Sequence, residues 1–394
     1  MKIAVVYQHY YPEEFRITPI CEELVKRGHE VTVYTGLPNY PHGNVPQKYR
    51  CFKNRHEVHN GVNIIRSFEI GRKKGKLGLA LNYVSYMISS VWRSLFVKRD
   101  FDIIFAYSTS PILMSLPALT LKRRSNKKIH MYLMDIWPAC LAAMNVKKTS
   151  LLYKFMGRVS KFVYSNCDTI SYSSKSFKKY MKDVHNIELQ DKYYLPQFAD
   201  EIFEGEPSTI NQNCFVFAGN IGHMQSVDTI VKAADILRDK PIKWIILGDG
   251  SEFENIKALV NKLNLQDKIL LPGRRPLEEM PKYYSMASAM LLTMRDDELV
   301  SYTVPAKLQG YYAFAKPVIA AINGESRDTI EESGGGIAVQ ADDPEALAGA
   351  VERFISLSAS DKLKMAQNAK AYYKQNYIFK DYMDELEKQF KELL

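Results

Sequence analysis

Short apolar runs separated by longer helix-period segments recur in two series along this 394-residue chain, an alternation that points to doubly wound, parallel α/β architecture. A strand over 3–7, a helix over 19–27, a turn at Gly28-His29 and a strand over 31–34 form the first βαβ unit. Runs at 62–65, 102–106, 129–134 and 169–172 continue that series. A second starts at 214–219 and continues through 244–247, 269–271, 289–292 and 317–320. Between them LPQFAD and EIFEGEPSTINQN form a polar stretch with Pro and Gly, which predicts a linker and a boundary near residue 200. A chain this long exceeds what one core usually serves, which agrees with two domains. The tail 358–394 has helical spacing and alternating charge and predicts one or two surface helices.

Cys21, Cys51, Cys140, Cys167 and Cys214 stand singly, without CxxC or metal-ligand spacing. They read as packing residues in a reducing compartment. The opening MKIAVVYQHYY turns polar too soon for an export signal. The run 77–97 carries Asn82, Arg93 and four serines, so it falls short of a spanning helix. In its wider setting, GRKKGKLGLALNYVSYMISSVWRSLFVKR, it couples cations to aromatic and apolar residues, as a helix lying in a membrane interface does. A core helix beside a basic loop is the alternative. Residues 1–200 hold 31 Lys and Arg against 15 Asp and Glu, and the remainder 22 against 29, so the halves carry +16 and −7. That asymmetry predicts an anionic partner for the first half, either a phospholipid surface or a diphosphate-bearing acceptor. No helix-turn-helix, zinc-finger or RNA-recognition signature supports a nucleic acid partner. No Gly-x-Gly-x-x-Gly follows the first strand of either series, which argues against an NAD-type oxidoreductase.

Seven segments in order carry a resemblance: YYPEEFRI with CEELVKRGHEVTVYTGLPNYPHG, MDIWPACL, LPQFAD, FAGNIGHMQSVDTIVKAADIL, GDG, LPGRRPLEEMPKYYSMASAMLL, and DDELVSYTVPAKLQGYYAFAKPVIA. Together they resemble the family 4 glycosyltransferases, in the bacterial branch of L-fucosamine and colanic-acid type enzymes that elongate polysaccharide repeat units. The resemblance spans nearly the whole chain. It implies the GT-B fold, two Rossmann-like domains facing across a cleft. An acceptor domain over 1–200, a nucleotide-sugar domain over 201–375 and a helix over 376–394 returning to the first domain follow from it. It further implies a UDP-sugar donor, retained anomeric configuration, no metal or other cofactor, and a lipid-linked saccharide acceptor. The setting it implies is the inner face of the cell membrane, in capsule or O-antigen type synthesis. Asp100-Phe-Asp102 looks like the metal-binding DxD of another transferase fold, but it opens a strand and reads as that strand's polar edge.

A metal-free enzyme that breaks a sugar–diphosphate bond must meet the leaving charge with helix N-terminal amides and fixed cations. The segment SYTVPAK at 301–307 offers both. Pro305 suits the first turn of a helix running through Tyr312, Tyr302, Thr303 and Val304 precede it, and Lys307 is placed to reach a phosphate. An ordinary capped helix with a surface lysine is the competing reading. The family's paired glutamates fall here at Tyr302 and Gly310, and the arginine and lysine of its glycine loop at Asn220 and Gln225. Ribose is then left to Gln309 or backbone groups, and the sugar to Asp296, Asp297 or Glu298. The diphosphate falls to the amides of the Gly219–Gly222 loop, with positive charge from Arg16, Lys307, and Arg274 or Arg275. The resemblance places Gly273, Arg274 and Arg275 around a uracil-like base, and Gly248 and Gly250 in a tight turn at the site's edge.

Asp135 ends the strand 129–134 and precedes Ile136-Trp137-Pro138, where a carboxylate can orient or deprotonate an acceptor hydroxyl. Helix capping is the alternative. Among the histidines, His9 at the end of the first strand stands nearest such a place. Departure from both charged pairs keeps a second class open, a non-catalytic sugar-nucleotide-binding or assembly subunit.

Overall fold

The computed structural model describes residues 1–40, 43–51, 53–73, 75–208 and 213–394. Pro41 and His42 of the GLPNYPHG motif, Lys74 of the basic run and residues 209–212 of the linker lie outside the described residues. The chain divides into one unit made of Met1–Leu195 with Met383–Leu394, and another made of Pro196–Tyr382.

The first unit is built on seven strands: β1 (Lys2–Val6), β2 (Glu30–Thr35), β3 (His56–His59), β4 (Val62–Arg66), β5 (Ile103–Ser108), β6 (Lys128–Leu133) and β7 (Thr169–Tyr172). They lie in the order β3-β4-β2-β1-β5-β6-β7, all parallel except β3, which pairs antiparallel with β4. The six parallel strands therefore follow the doubly wound 3-2-1-4-5-6 order. The second unit repeats it with β8 (Cys214–Ala218), β9 (Lys243–Leu247), β10 (Ile269–Gly273), β11 (Ala289–Thr293), β12 (Val318–Ala321) and β13 (Gly336–Val339), ordered β10-β9-β8-β11-β12-β13. Helices cover both faces, so the central strands are buried along their whole length, as in IIFAYS of β5 and CFVFA of β8.

Two strands lie beyond the predicted runs. β3 joins β4 through Asn60-Gly61, both with positive φ (46° and 81°), the two-residue turn that hairpins favour. β13 is a four-residue edge strand entered through consecutive glycines.

The tail forms two surface helices as expected, Ala359–Asn376 and Phe379–Leu393, each exposed on one side and packed down on the other. Met383, Leu386, Gln389 and Phe390 are fully buried in the first unit. Phe390 packs edge-on against Phe105 at 5.1 Å, and Gln389 accepts a hydrogen bond from Ser171. Arg27 holds Glu387 at 2.8 Å and Asp384 at 2.6 Å. The alternating charges that suggest a solvated surface helix are in part these cross-chain pairs. A correction concerns Cys51, which is exposed and fills no core, whereas Cys21, Cys140 and Cys214 are buried. All five are free thiols.

Asp102 accepts the backbone N–H of Lys2 at 2.7 Å, and Asp100 takes the Lys2 ammonium at 2.6 Å. Both stand at the start of β5, as a polar strand edge. Among the described residues no helix is long and apolar enough to cross a membrane.

Arg66 at the end of β4 is fully buried. Its guanidinium is paired with Glu57, donates to Tyr11 O at 2.6 Å and lies 4.8 Å from the centre of the Tyr49 ring. Arg66→Ala should cost about 2–4 kcal/mol, because it empties a fully buried site and takes their partner from the half-buried Glu57 carboxylate and the Tyr11 carbonyl. Urea unfolding of the purified variant measures this, and a loss under 1 kcal/mol would contradict the account.

Candidate active site

In doubly wound sheets ligands bind beyond the carboxyl ends of the strands where the winding reverses. Those points are β8/β11 in the second unit and β1/β5 in the first. In the second unit, the helix Ala306–Ala313 begins beside the end of β8, with Pro305 as its N-cap. Tyr311 ties the two: its hydroxyl donates to Ala218 O and accepts from Ala218 N, each at 3.1 Å.

Lys307, in the first turn of that helix, therefore lies over the β8 edge. Its Nζ is enclosed, sits 3.8 Å from the centre of the Phe217 ring and makes no hydrogen bond among the described residues. Burial lowers its pKa to about 7. This is not a surface lysine. The competing reading of an ordinary helix with a solvated amine does not fit an enclosed, unpartnered one.

Gly219 is the residue over which the Lys307 stem passes. Its φ of 145° suits glycine, and a Cβ there would collide with Lys307 Cε and Nζ. A Cβ at Gly248 would likewise strike the carbonyl of Gly219, so the loops after β8 and β9 touch through bare backbone. Gly250 donates to Asp249 Oδ1 at 2.8 Å, and Gly248 N donates to Gly273 O at 3.1 Å, which brings the loop after β10 alongside. Arg274 and Arg275 are exposed on that loop. Asn220 and Gly222 both donate to Gln225 Oε1, at 3.0 and 3.2 Å. These two uncharged side chains thus hold the loop in shape.

Tyr302, Thr303 and Val304 are half-buried and lead into the helix. Thr303 O accepts from Ser326 at 2.9 Å. Gln309 is buried. At Gly310 a Cβ would already lie 3.3 Å from the Phe203 ring, which is itself stacked on Tyr284. A glutamate at that position would have to push the Phe203 ring aside. Asp296 accepts from Asn323 at 2.9 Å, and Asp297 caps the short helix Glu298–Ser301.

Arg295 is the residue that sequence reasoning passes over. It pairs with Asp228 at 2.6 Å and Asp342 at 2.8 Å, and it donates to His223 O at 3.2 Å, bracing the glycine loop from beneath β11. Its place straight after an apolar strand and before two acids was a usable signal.

In the first unit Asp135 follows β6. The next helix, Ala139–Ala143, has Pro138 as its N-cap, so Asp135 caps nothing there. Burial raises its pKa, opposed by hydrogen bonds from the hydroxyl and backbone of Ser110. Ser110 in turn accepts from Trp137 Nε1 at 3.1 Å. The Trp137 backbone is fixed by the Tyr164 hydroxyl at 3.1 Å and by His185 at 2.7 Å. A carboxyl held this firmly, with its pKa raised by burial, is suited to exchange a proton with a hydroxyl.

His9 follows β1, is nearly fully buried, stacks on Phe15 at 4.9 Å and bonds Glu13 through Nδ1 at 3.0 Å. Among the described residues its Nε2 makes no hydrogen bond. Glu13 also accepts the backbone N–H groups of Asn39 and Tyr40, both at 2.6 Å. Glu69 is enclosed by Gln8 at 2.7 Å, Asn39 at 2.8 Å and Asn82 at 3.3 Å, and burial drives its pKa well up. This polar cluster pins the loops after β1, β2 and β4. Arg16 is the N-cap of the helix Ile17–Lys26 and is half-buried.

The family described as Glycosyltransferase Family 4 matches residues 14–199, and that described as Glycosyl transferases group 1 matches residues 198–372. The chain is 24% identical to the "Probable glycosyltransferase WbjE" of Pseudomonas aeruginosa over 72% of its own length and 73% of that protein's. It is 21% identical to the "Putative colanic acid biosynthesis glycosyl transferase WcaI" of Escherichia coli K12, over 79% and 81%. Two solved structures share the fold. Sucrose-phosphate synthase of Thermosynechococcus elongatus superposes with a TM-score of 0.78 at 16% identity, covering 100% of this chain and 98% of the other. Anabaena HepE, solved with UDP and glucose, gives 0.70 at 14% identity and 99% coverage of both chains.

Proposed function

Because the chain belongs to the family 4 glycosyltransferases of the GT-B fold that serve bacterial polysaccharide synthesis, we propose that it moves a hexosyl or N-acetylaminosugar residue from a UDP-sugar to a lipid-linked saccharide. On this reading the reaction retains anomeric configuration, needs no metal ion, and takes place at the cytoplasmic face of the membrane.

The observation that carries the donor half is Lys307, an enclosed amine without a partner, lying over a glycine at the N-terminus of an eight-residue helix. An anion arriving there meets helix amides and gives the amine the counter-charge it lacks. As the bond from the anomeric carbon to the diphosphate oxygen breaks, both electrons leave with the diphosphate. Lys307 stabilises that charge, and the acceptor hydroxyl attacks the face that the diphosphate leaves, passing its proton to the Asp135 carboxylate as the new bond forms. Asp135 orients this hydroxyl, and His9, held by Glu13, lines the same strand edges. HepE's complex with UDP and glucose supports UDP as the nucleotide.

The membrane half rests on the helix Lys76–Ser94. Leu77, Leu81, Val84, Ile88 and Trp92 are exposed along one stripe of it, with Phe96 beyond.

The test supplies labelled UDP-sugars and lipid-linked saccharides and reads the product anomer by proton NMR. An α-linked product from an α-linked donor is expected, and the β anomer would overturn retention. The mutual hydrogen bond of Asn220 and Gln225, where the family places cations, favours the competing non-catalytic subunit. That reading prevails if neither transfer nor slow donor hydrolysis is detected with any nucleotide sugar.

A further inference from the structure

Beside the exposed stripe of the helix Lys76–Ser94 lies a recess of about 970 Å³, walled by that helix on one side and by β2 and β4 on the other. Its cationic groups are Arg55, which donates to Ser67 O at 3.4 Å, Arg93, Lys98 and Arg66, the last paired to Glu57. The two acids on its wall, Glu30 and Asp100, are both engaged by Lys2, at 3.7 and 2.6 Å. Arg93 donates to Arg66 O at 3.1 Å and to His56 Nε2 at 2.8 Å, and has no carboxylate partner among the described residues. Burial lowers the pKa of both Arg55 and Arg93, and the neighbouring charges of Arg93 and Arg66 lower that of Arg55 further. Thr32, His56, Ser67 and Ser89 add polar groups to the wall, and the exposed Phe68, Ile88, Trp92 and Phe96 give it an apolar, aromatic side.

Half-buried arginines side by side call for an anion with several acceptor oxygens, and a phosphate meets that geometry. Aromatic and aliphatic residues on the same rim call for a hydrocarbon chain attached to it. We infer that this recess binds the phosphate headgroup of an anionic membrane lipid, its acyl chain lying along Trp92 and Phe96. The inference rests on the membrane reading above and sharpens it. Attachment then combines a general apolar stripe with a built headgroup site, the two signals that stable peripheral binding requires.

Trp92 is 65% exposed, whereas Trp137 and Trp244 are buried, so a change in tryptophan emission reports on the rim that this recess shares with a second one lined by Arg123 and Arg124, and the arginine variants tell the two apart. The experiment titrates full-length protein with dihexanoyl phosphatidic acid below its micellar concentration, and separately with inorganic phosphate. It then measures sedimentation with phosphatidylcholine vesicles with or without phosphatidic acid. Wild type should bind the short-chain lipid with a blue shift, and inorganic phosphate far more weakly. Arg55→Gln with Arg93→Gln should weaken lipid binding about thirtyfold, and Arg55→Lys with Arg93→Lys should recover part of it. Arg123→Gln with Arg124→Gln, on the far side of the helix, should leave it unchanged.

Equal affinity in the glutamine variant and wild type overturns the inference, and so does phosphate binding as tightly as lipid. Should the glutamine variant misfold, quenching of wild-type Trp92 by brominated acyl chains decides: no quenching overturns the inference. Wild type that ignores anionic vesicles while binding the short-chain lipid overturns the membrane reading alone. Vesicle binding that the glutamine variant retains in full, with unchanged short-chain affinity, overturns the recess alone.

Discussion

Lys307→Met should lower the rate of sugar transfer about 10²–10³-fold, the loss that follows removal of one preorganised group facing developing charge. Methionine keeps the packing over Phe217 and Gly219, so the fold should persist while UDP binding weakens. The pH dependence is the sharper signature. In the empty site the Lys307 pKa stands at about 7, and a bound diphosphate raises it toward its ordinary value near 10.5 by supplying the missing counter-charge. Binding therefore takes up a proton above pH 7. UDP affinity should fall about tenfold per pH unit above 7, level off below it, and lose this slope in Lys307→Met. The ligand-free protein shows the converse. Between pH 7 and 10.5 the unfolded chain holds a proton at Lys307 that the folded chain lacks, so the contribution of this group to stability rises with pH across that window. Calorimetric titration at pH 6.5, 7.5 and 8.5 measures the binding slope, and a flat wild-type profile would contradict the assignment.

Asp135→Asn should reduce transfer about 10²–10⁴-fold and leave UDP affinity unchanged, since Asp135 belongs to the first unit and the diphosphate contacts to the second. Asparagine can keep the Ser110 hydrogen bond but cannot accept a proton. Because burial raises the Asp135 pKa, the acid limb of the wild-type rate profile should lie above the usual carboxylate range, and activity should fall as pH drops through it. Steady-state rates for both proteins, with UDP binding measured in parallel, decide this. A variant within threefold of wild type would remove Asp135 from the chemistry.

The fold was legible where burial on both faces makes a strand a continuous apolar run, as in β5 and β8. It was less legible at β3 and β13, whose edge positions leave polar and glycine residues in the pattern. The two tail helices were legible, but their cross-chain pairs were not, because charge that holds the chain together looks the same in sequence as charge that faces water. Glu387 bonds His29 at 2.5 Å, a pairing across most of the chain.

Lys307 was legible from Pro305-Ala-Lys at a helix start, but its enclosure was not, since that depends on Gly219 and Phe217 from another strand. Glu13 was missed because its spacing from His9 means adjacency only on a helix, and here the chain between them is a loop. Glu69 acts through partners far along the chain and shows no local pattern, whereas Arg295 shows only its place between an apolar strand and two acids. Gly310 shows the converse: its departure from the family's glutamate looked like a loss, and the structure sets the Phe203 ring close against it.

The most direct test of the central claim, that the second unit cradles a nucleoside diphosphate at Gly219 and Lys307, is a thermal-shift titration of wild type and Lys307→Met with UDP, GDP, ADP and TDP. UDP at a hundred times its dissociation constant should stabilise wild type by about 2.7 kcal/mol and the variant by far less. Stabilisation of wild type by none of the four nucleotides, or equal stabilisation of both proteins by UDP, would contradict it.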